Sequence, residues 1–300
     1  MIDHIVDAHH HLWNLNKIRY PWLMERGVRR FFGDPTAIQQ DYLVGDFLDD
    51  VGDLPVTSSV HIQVGAAAAD SVAETRWLQS AARRTPLGIP NAIVAFCDLA
   101  DENSGKILDV QTESGNLRGI RQIVGRSPEE DSASGTGLLL DNPVWLENLA
   151  RLPARQLSFD LQLIPAQLPA VTEVLAGIPD LQVALCHCGS PHDQSGEGLA
   201  FWRKELARLA KLPNVYCKLS GFCMFEQDWN AERVKRTALT AIDIFGVHRC
   251  MFGSNFPIEK LYVSYQELYA CYLDIIDRFS KSEKHALMAG NAERFYRLAD

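Results

Sequence analysis

The sequence predicts an α/β fold, a (β/α)8 TIM barrel, from three observations. Short apolar segments that suit buried strands recur eight times, and amphipathic segments that suit helices separate several of them. The first strand is not followed by a glycine-rich phosphate turn, so the barrel is favoured over a doubly wound sheet. No linker or low-complexity tract divides the chain, and we expect residues 1–300 to form a single domain.

The predicted elements follow one another in a regular order. The eight strands are Ile5–His11, Ser59–Val64, Ala92–Leu99, Gly119–Val124, Leu157–Ile164, Val183–Gly189, Val215–Ser220 and Cys250–Ser254. The helices are Ser71–Arg83, which opens with a capping-box spacing, Ala166–Ala176, Leu199–Lys211 and Glu232–Phe245. Polar residues that follow the strands then meet at the carboxyl end of the barrel, where enzymes of this fold keep their chemistry.

Composition restricts the classes of function. The chain is 47% hydrophobic and 22% charged with a net charge of −9, and this acidic balance argues against nucleic-acid binding. No apolar run of 18 residues exists, so we expect no membrane span and a small molecule as the partner, with a homo-oligomer left open. The seven cysteines lie in apolar segments, which predicts reduced thiols and a cytoplasmic location.

The segment Asp7–Trp13, which contains three consecutive histidines, is the strongest functional signal in the chain. In an extended strand alternate side chains share a face, so His9 and His11 can present two imidazoles to one ion. Two imidazoles buried on one face need partners for four ring nitrogens, which favours a metal or catalytic role. Asp7 lies on the same face, where it could orient an imidazole or only fix the strand end.

Two further strand ends carry polar candidates. The same alternation sends His187 to one side of its strand and the two neighbouring cysteines to the other, although a single buried His is more often a core residue than a ligand. It also places Gly253 and Asn255 together at the end of the last strand. At this position, where a hydrolase needs an acid, the chain has an amide.

Two long irregular segments connect the predicted elements. The first, from Trp13 to about Gly52, contains the aromatic residues Trp13, Tyr20, Trp22, Phe31, Phe32 and Tyr42 and the cations Lys17, Arg19, Arg26, Arg29 and Arg30. Its aromatic residues either anchor a loop on the rim or take part in binding, and its cations would suit an anionic substrate if the loop closes over the mouth. The second segment, Gly125–Asn142, is predicted to be exposed and mobile.

Several motifs together resemble those of the amidohydrolase-related lactonases. Besides the histidine segment they are Tyr20–Trp22, Gly119–Arg121, His187–Pro191, Cys217–Gly221, Phe252–Pro257 and Gly290–Tyr296. Members of that family, of the amidohydrolase 2 type, are TIM-barrel hydrolases of sugar lactones and of 2-pyrone-4,6-dicarboxylate. The resemblance extends from the first strand to the last helix and is specific for the family but not for a substrate.

The resemblance implies roles for particular residues. It implies that three imidazoles, those of His9, His11 and His187, bind a metal ion. In a metal-free site the same imidazoles would polarise the substrate carbonyl. Zinc is the expected ion, because three imidazoles suit it and leave a position open. Lys218 would be a further cation of the catalytic set. The resemblance makes Arg121 an anchor for a substrate carboxylate or hydroxyl, and the predicted substrate-binding set also includes Trp13, Trp22, Gln63 and Asp160.

Asn255 departs from the family pattern, in which an Asp ends the last strand and takes the proton of the attacking water. An amide cannot act as a general base near neutral pH. Another carboxylate could replace it, with Asp160 and Glu259 as candidates, or the chain belongs to a branch with different chemistry, or it is an engineered or degenerate form that binds without turnover.

The reaction expected from these residues is the opening of a small anionic or polyhydroxylated lactone by water, in carbohydrate metabolism. The residues predicted to carry it are the catalytic set of His9, His11, His187, Asn255 and Lys218. Two alternatives remain: a metal-dependent decarboxylase or C–C hydrolase on the same barrel, and a catalytically disabled small-molecule binder.

Overall fold

Eight parallel strands, hydrogen-bonded in chain order, form the centre of the computed structural model, which describes residues 2–134 and 136–298. The strands are β1 (Ile5–His10), β2 (Val56–Ile62), β3 (Ala92–Ala95), β4 (Leu117–Ile120), β5 (Ser158–Leu161), β6 (Val183–Leu185), β7 (Val215–Leu219) and β8 (Cys250–Phe252). Just beyond the end of β8, the Asn255 N–H donates to the His9 carbonyl at 2.6 Å and the His11 N–H donates to the Phe256 carbonyl at 2.7 Å. These bonds bring the eighth strand back to the first, and the predicted (β/α)8 barrel is confirmed.

Helices lie between the strands. They are α1 (Pro21–Met24), α2 (Val44–Val51), α3 (Ser71–Ala82), α4 (Ser104–Gln111), α5 (Pro128–Ser134), α6 (Pro143–Ala150), α7 (Leu168–Ala176), α8 (Gly196–Leu209), α9 (Ala231–Phe245), α10 (Tyr265–Ile276), α11 (Lys281–His285) and α12 (Asn291–Tyr296). The four helices predicted from sequence correspond to α3, α7, α8 and α9, with ends that differ by at most three residues.

The segment from Trp13 to Gly52 is not irregular throughout, because it contains α1 and α2. Helix α2 buries Val44, Phe47 and Val51 on one face, and the Asp46 carboxylate accepts the Leu43 N–H at 2.7 Å at its start. An amphipathic face with a capping acid is a sufficient local cause for this helix.

The predicted loop Gly125–Asn142 contains α5 and a 3-10 helix, Thr136–Asp141. Gly125, Asp131 and Leu140 are buried, so the prediction of general exposure was wrong at these three positions. Gly135 lies outside the described residues, and the predicted mobility of the loop stays a prediction.

Strand β6 ends at Leu185, earlier than the predicted Val183–Gly189. The next four residues, Cys186–Gly189, form a 3-10 turn in which His187 and Cys188 have φ values of 54° and 55°. Such left-handed backbone is uncommon outside glycine and breaks the two-residue alternation of a strand. The prediction that alternation along a strand orients His187 was therefore wrong.

The last strand is also shorter than predicted, because β8 stops at Phe252 and Asn255 has a φ of 57°. Asparagine adopts this conformation more readily than most residues. Gly253 lies against β1, where an added Cβ would stand 2.6 Å from the Cβ of His9. Gly253 therefore permits the close approach that closes the barrel, while the polar side chain of Asn255 is presented by the turn after it.

The amino end of the barrel is filled by apolar side chains. Val6, Val60, Ala92 and other interior residues pack against the C-terminal segment, including Phe295. In the same segment Glu293 contacts His4, the residue before β1, which places α12 at this end. The amino end of the barrel is therefore closed by apolar packing, and the polar side chains described below lie at the carboxyl end.

Candidate active site

A cavity of about 290 Å³ lies at the carboxyl end of the barrel. Its floor is formed by His11, Arg121, His187 and Asn255, which follow β1, β4, β6 and β8. Its walls and mouth are formed by Trp22, Arg30, Phe31, Phe32, Ile123, Arg126, Glu130, Met224 and other residues of the loops. The structure therefore gathers five of the predicted site residues, these four and Trp22, in one cavity of a size that suits a small molecule.

Three imidazoles form a buried cluster. The ring centroid of His9 lies 5.1 Å from that of His11 and 4.6 Å from that of His187. Burial, reinforced by nearby cations, holds the pKa of His9 and of His187 well below the ordinary value and lowers the pKa of His11 to about 3. All three rings are consequently neutral near pH 7, and each keeps one nitrogen lone pair.

Two of these rings are fixed through Nδ1. The Nδ1 of His11 lies 2.8 Å from the Ile62 carbonyl, and the Nδ1 of His187 lies 3.0 Å from the Ser220 hydroxyl. Metal-bound histidines are commonly held in this way by their outer nitrogen. Both ring nitrogens of His9 are buried and make no hydrogen bond with the described residues.

These imidazoles match the preference of zinc in ligand type, and the unpaired nitrogens of His9 suit a role as ligand. Within residues 2–134 and 136–298, however, no three His, Cys, Asp or Glu side chains are grouped so that they could hold one ion. The donors are thus suitable in kind, but within the described chain they are not arranged so that three of them meet at one ion.

Arg121 is a buried cation on the cavity floor, only 4% exposed. One guanidinium nitrogen donates to the Gln162 side-chain oxygen at 3.0 Å, another donates to the Gln63 carbonyl, and Nε has no partner in the described chain. Burial lowers its pKa, yet a guanidinium stays protonated at any ordinary pH. Because neutral groups alone hold it, its charge is available to an anionic ligand.

Lys218 and Asp160 form an ion pair in the barrel interior, with Nζ 2.5 Å from Oδ2 and both side chains fully buried. The Tyr296 hydroxyl donates to the same carboxylate at 2.9 Å, and the ammonium lies 5.0 Å from the centre of the Tyr296 ring. Neither residue lines the cavity. Asp160 is therefore neutralised by Lys218 and is not free to replace a missing base.

Asn255 lines the cavity and contacts two other polar groups. Its Oδ1 lies 3.1 Å from the Nε2 of His11, and its Nδ2 lies 3.4 Å from Oε1 of Glu259. Glu259 is 1% exposed and lies behind Asn255, away from the cavity lining. Burial raises the pKa of this carboxyl to about 7.

The other predicted binding residues differ in placement. Trp22 lines the cavity and its indole donates to the Val64 carbonyl at 2.6 Å. Trp13 is fully buried elsewhere, with its indole bound to the Gln40 carbonyl, and the Gln63 side chain accepts the Gly65 N–H at 2.7 Å. Gln63 thus serves the site through its carbonyl, which positions Arg121.

The cations of the first long segment also separate. Arg30 lines the cavity, whereas Arg26 bonds to Gln39 and Arg29 bonds to Gln227. The remaining two, Lys17 and Arg19, are exposed and do not line the cavity.

Sequence reasoning missed three polar residues of the cavity: Gln162, Arg126 and Glu130. Gln162 stands two residues after Asp160, so strand alternation could have drawn attention to it. Arg126 and Glu130 belong to the segment Gly125–Asn142, for which the amino-acid composition predicted only exposure and mobility. The Phe31 N–H donates to the Glu130 carboxylate at 3.0 Å, and this bond joins the two long segments at the mouth.

Comparison with known proteins agrees with this architecture. A sequence model of the family described as amidohydrolase matches residues 6–298. The chain belongs to the amidohydrolase family.

No helix in the described part of the chain combines the length and apolar character needed to span a membrane.

Several relatives of this amidohydrolase are similar over nearly their whole length. An uncharacterized protein of Sinorhizobium fredii is 38% identical over 98% of both chains. An L-fucono-1,5-lactonase of Burkholderia ambifaria is 27% identical over 98% of this chain and 95% of the lactonase. The crystal structure of an amidohydrolase from Burkholderia multivorans with bound zinc is 26% identical, has a TM-score of 0.83, and is matched over 98% of this chain and 99% of that chain.

Proposed function

We propose that this amidohydrolase is a hydrolase that opens a small anionic or polyhydroxylated lactone by water. The observation that carries the proposal is the buried guanidinium of Arg121, which faces a small cavity beside neutral imidazoles and has no carboxylate partner in the described chain. The L-fucono-1,5-lactonases among its relatives support the same reaction class. We place the protein in the cytoplasm and its substrate in carbohydrate metabolism.

Arg121 binds the carboxylate or a hydroxyl of the substrate, with its plane fixed by Gln162 and by the Gln63 carbonyl. The aromatic wall formed by Trp22, Phe31 and Phe32 covers the apolar side of the ring and limits the entry of water. As water attacks, negative charge grows on the carbonyl oxygen of the lactone. The positive charge of Arg121, which is already held in place, stabilises that negative charge.

His187 is the group best placed to move the proton in the metal-free protein. It lines the cavity, and its Nε2 makes no hydrogen bond with the described residues while Nδ1 faces Ser220. With the proton on Nδ1, Nε2 takes a proton from the attacking water as the new C–O bond forms. The ring C–O bond of the lactone then breaks, and Nε2–H returns the proton to the leaving alkoxide.

Zinc, if it binds, would require the rings of His9, His11 and His187 to turn toward a common point, and it would then polarise the lactone carbonyl. We expect purified protein to contain less than one equivalent of zinc, because among the described residues the three imidazoles do not meet at one ion, and an amide, Asn255, follows β8 where a carboxylate would complete a site. Elemental analysis before and after chelation measures this. A full equivalent that resists chelation would contradict the expectation, and activity that survives complete metal removal would assign the reaction to the imidazoles alone.

The activity is tested with L-fucono-1,5-lactone, D-glucono-1,5-lactone and 2-pyrone-4,6-dicarboxylate, with and without zinc. We expect release of ring-opened acid, which a pH indicator detects, and its loss in His187→Gln. The matched control is His248→Gln, since His248 is exposed and does not line the cavity. Carbon dioxide among the products would indicate a decarboxylase instead, and saturable binding without turnover under every condition would indicate a binding protein.

A further inference from the structure

Glu259 is a buried carboxyl that reaches the active site through one side chain. It follows Asn255 by four residues, at the start of a 3-10 turn, and does not line the cavity. Its two oxygens accept the Cys223 N–H at 3.1 and 3.3 Å, and Oε1 lies 3.4 Å from the Asn255 amide nitrogen. No ion pair joins it to a cation of the described chain, although a buried carboxylate would need one.

Donors and acceptors can be assigned along the chain of contacts from His11 to Glu259. The Ile62 carbonyl can only accept, so the neutral ring of His11 must carry its proton on Nδ1. Its Nε2 is then an acceptor and requires a donor from Asn255. Since the oxygen and nitrogen of an amide are nearly alike in shape, a rotated amide supplies that donor from Nδ2.

This rotation turns Oδ1 of Asn255 toward Glu259. Two acceptors would then face each other across about the 3.4 Å that separates the side chains, unless the carboxyl of Glu259 carries a proton. A protonated Glu259 donates to Oδ1 of Asn255. Each contact from the Ile62 carbonyl through His11 and Asn255 to Glu259 then pairs one donor with one acceptor. In this state one N–H of Asn255 binds His11, and the second N–H has no partner among the described residues and lies beside the cavity that Asn255 lines.

We propose that Glu259 is a positioning residue that acts through Asn255: in its protonated form it turns the amide so that an N–H is offered to the substrate. That N–H would stabilise the oxyanion of lactone opening, so this inference rests on the proposed function. In the ionised form Glu259 attracts Nδ2 to itself, and the oxygen of Asn255 faces His11 instead. The position of the expected Asp is thus occupied by a donor whose direction Glu259 controls.

The surroundings of Glu259 are consistent with a group that holds its proton near neutral pH. The titratable groups of the described chain that face Glu259 are Cys223, whose thiol hydrogen-bonds to it, and the phenols Tyr262 and Tyr272, and none of them supplies a positive charge. Burial therefore dominates and raises the pKa to about 7.

The proposal is tested by the pH profile of kcat/KM with the lactone that is turned over fastest. Wild type should lose activity above pH 7, by about 100-fold between pH 6 and 9, because the protonated fraction of such a group falls about tenfold per pH unit. Glu259→Gln offers an amide N–H to Asn255 at every pH, so it should stay active and lack the alkaline decline. Glu259→Leu should be slow at every pH with little change in KM.

Glu74→Gln is the matched control, since Glu74 is an equally buried carboxyl whose pKa burial raises to about 7 but which does not contact Asn255. It should keep the alkaline decline of the wild type. An alkaline decline of the same size in Glu259→Gln as in wild type would overturn the proposal, whether or not Glu259→Leu folds.

A second measurement does not depend on turnover. The side-chain amide signals of Asn255, identified in 15N-labelled protein by their absence from Asn255→Ala, should shift between pH 6 and 8 in wild type and not in Glu259→Gln. If no lactone is turned over but the shift is found, the proposed function fails and the positioning role of Glu259 stands. If the chemical shift of the Asn255 side-chain amide changes neither with pH nor on the substitution Glu259→Gln, that positioning role is refuted.

Discussion

Replacement of Arg121 by Met removes the cation of the cavity floor while keeping an apolar side chain of similar length. In the folded protein two of the guanidinium N–H groups are occupied, one by Gln162 and one by the Gln63 carbonyl. A guanidinium has five N–H groups, and Nε–H is buried, so one N–H on each terminal nitrogen remains for a ligand, and the group is already removed from bulk water. Binding of a carboxylate here therefore adds interactions without a new desolvation cost on the protein side.

The magnitude follows from hydrogen bonds to charged partners, which contribute about 1.5–3 kcal/mol, whereas those between neutral groups contribute about 0.5–1.5 kcal/mol. Arg121→Met should lower kcat/KM for a lactone that carries a carboxylate by about 10- to 150-fold. For a lactone with a hydroxymethyl group at the same position, the fall should be about tenfold or less.

D-glucaro-1,4-lactone and D-glucono-1,4-lactone differ at that one carbon, so the pair isolates the charge term, either as substrates or as competitive inhibitors. Arg118→Met is the control, because Arg118 lies on the same strand with its guanidinium on backbone carbonyls near the opposite end. Thermal melting of each variant establishes that it is folded. Equal losses on the two lactones, or no loss on either, would refute the assignment of Arg121 as an anion anchor.

Three further outcomes are expected. Asn255→Asp should lower kcat by about 100-fold, the usual effect of losing one oxyanion donor, and a gain in lactone hydrolysis would instead show that the natural amide disables a general base. The free energy of unfolding of wild type relative to Glu259→Gln should rise by about 2–3 kcal/mol as the pH falls from 8 to 5, because the folded-state pKa of about 7 lies above the ordinary 4.5 and the folded form binds the proton first. Urea titrations at both pH values measure this rise, and a difference independent of pH would contradict the raised pKa. Asp160→Asn should destabilise the fold by about 3–5 kcal/mol because it leaves the Lys218 ammonium buried without a counter-charge, and Asp160→Leu combined with Lys218→Met should recover most of that loss; equal stability of Asp160→Asn and wild type in urea would show that the pair is not energetically coupled.

Local patterns predicted those parts of the site that local geometry controls. The eight apolar segments predicted the barrel, and the spacing of His9 on β1 and His11 just after it placed both imidazoles in one cluster. Arg121 and Asn255 followed from motifs at strand ends. In each of these cases the residue stands within three positions of a strand, where the direction of the main chain is already fixed.

Contacts between distant segments were beyond the same patterns. Asp160 and Lys218 neutralise each other across the barrel interior from β5 and β7, and no local feature of either strand announces this pairing. His187 reaches the cluster through left-handed backbone that composition does not reveal. The bond between Phe31 and Glu130 links segments 99 residues apart, so the loop around Glu130 could be described from sequence only as polar.

The bond between Phe31 and Glu130 joins two loops at the mouth of the cavity, and these loops can change in sequence independently of the cavity floor. The floor of the cavity is attached to strand ends whose main chains are tied into the barrel, whereas much of the mouth comes from two loops that contact each other through Phe31 and Glu130. Substitutions in the loops alter which molecules enter, and they leave the reacting groups where they are. A lineage could therefore acquire a new substrate by exchanging both loops together, while exchange of one alone would remove the bond between them.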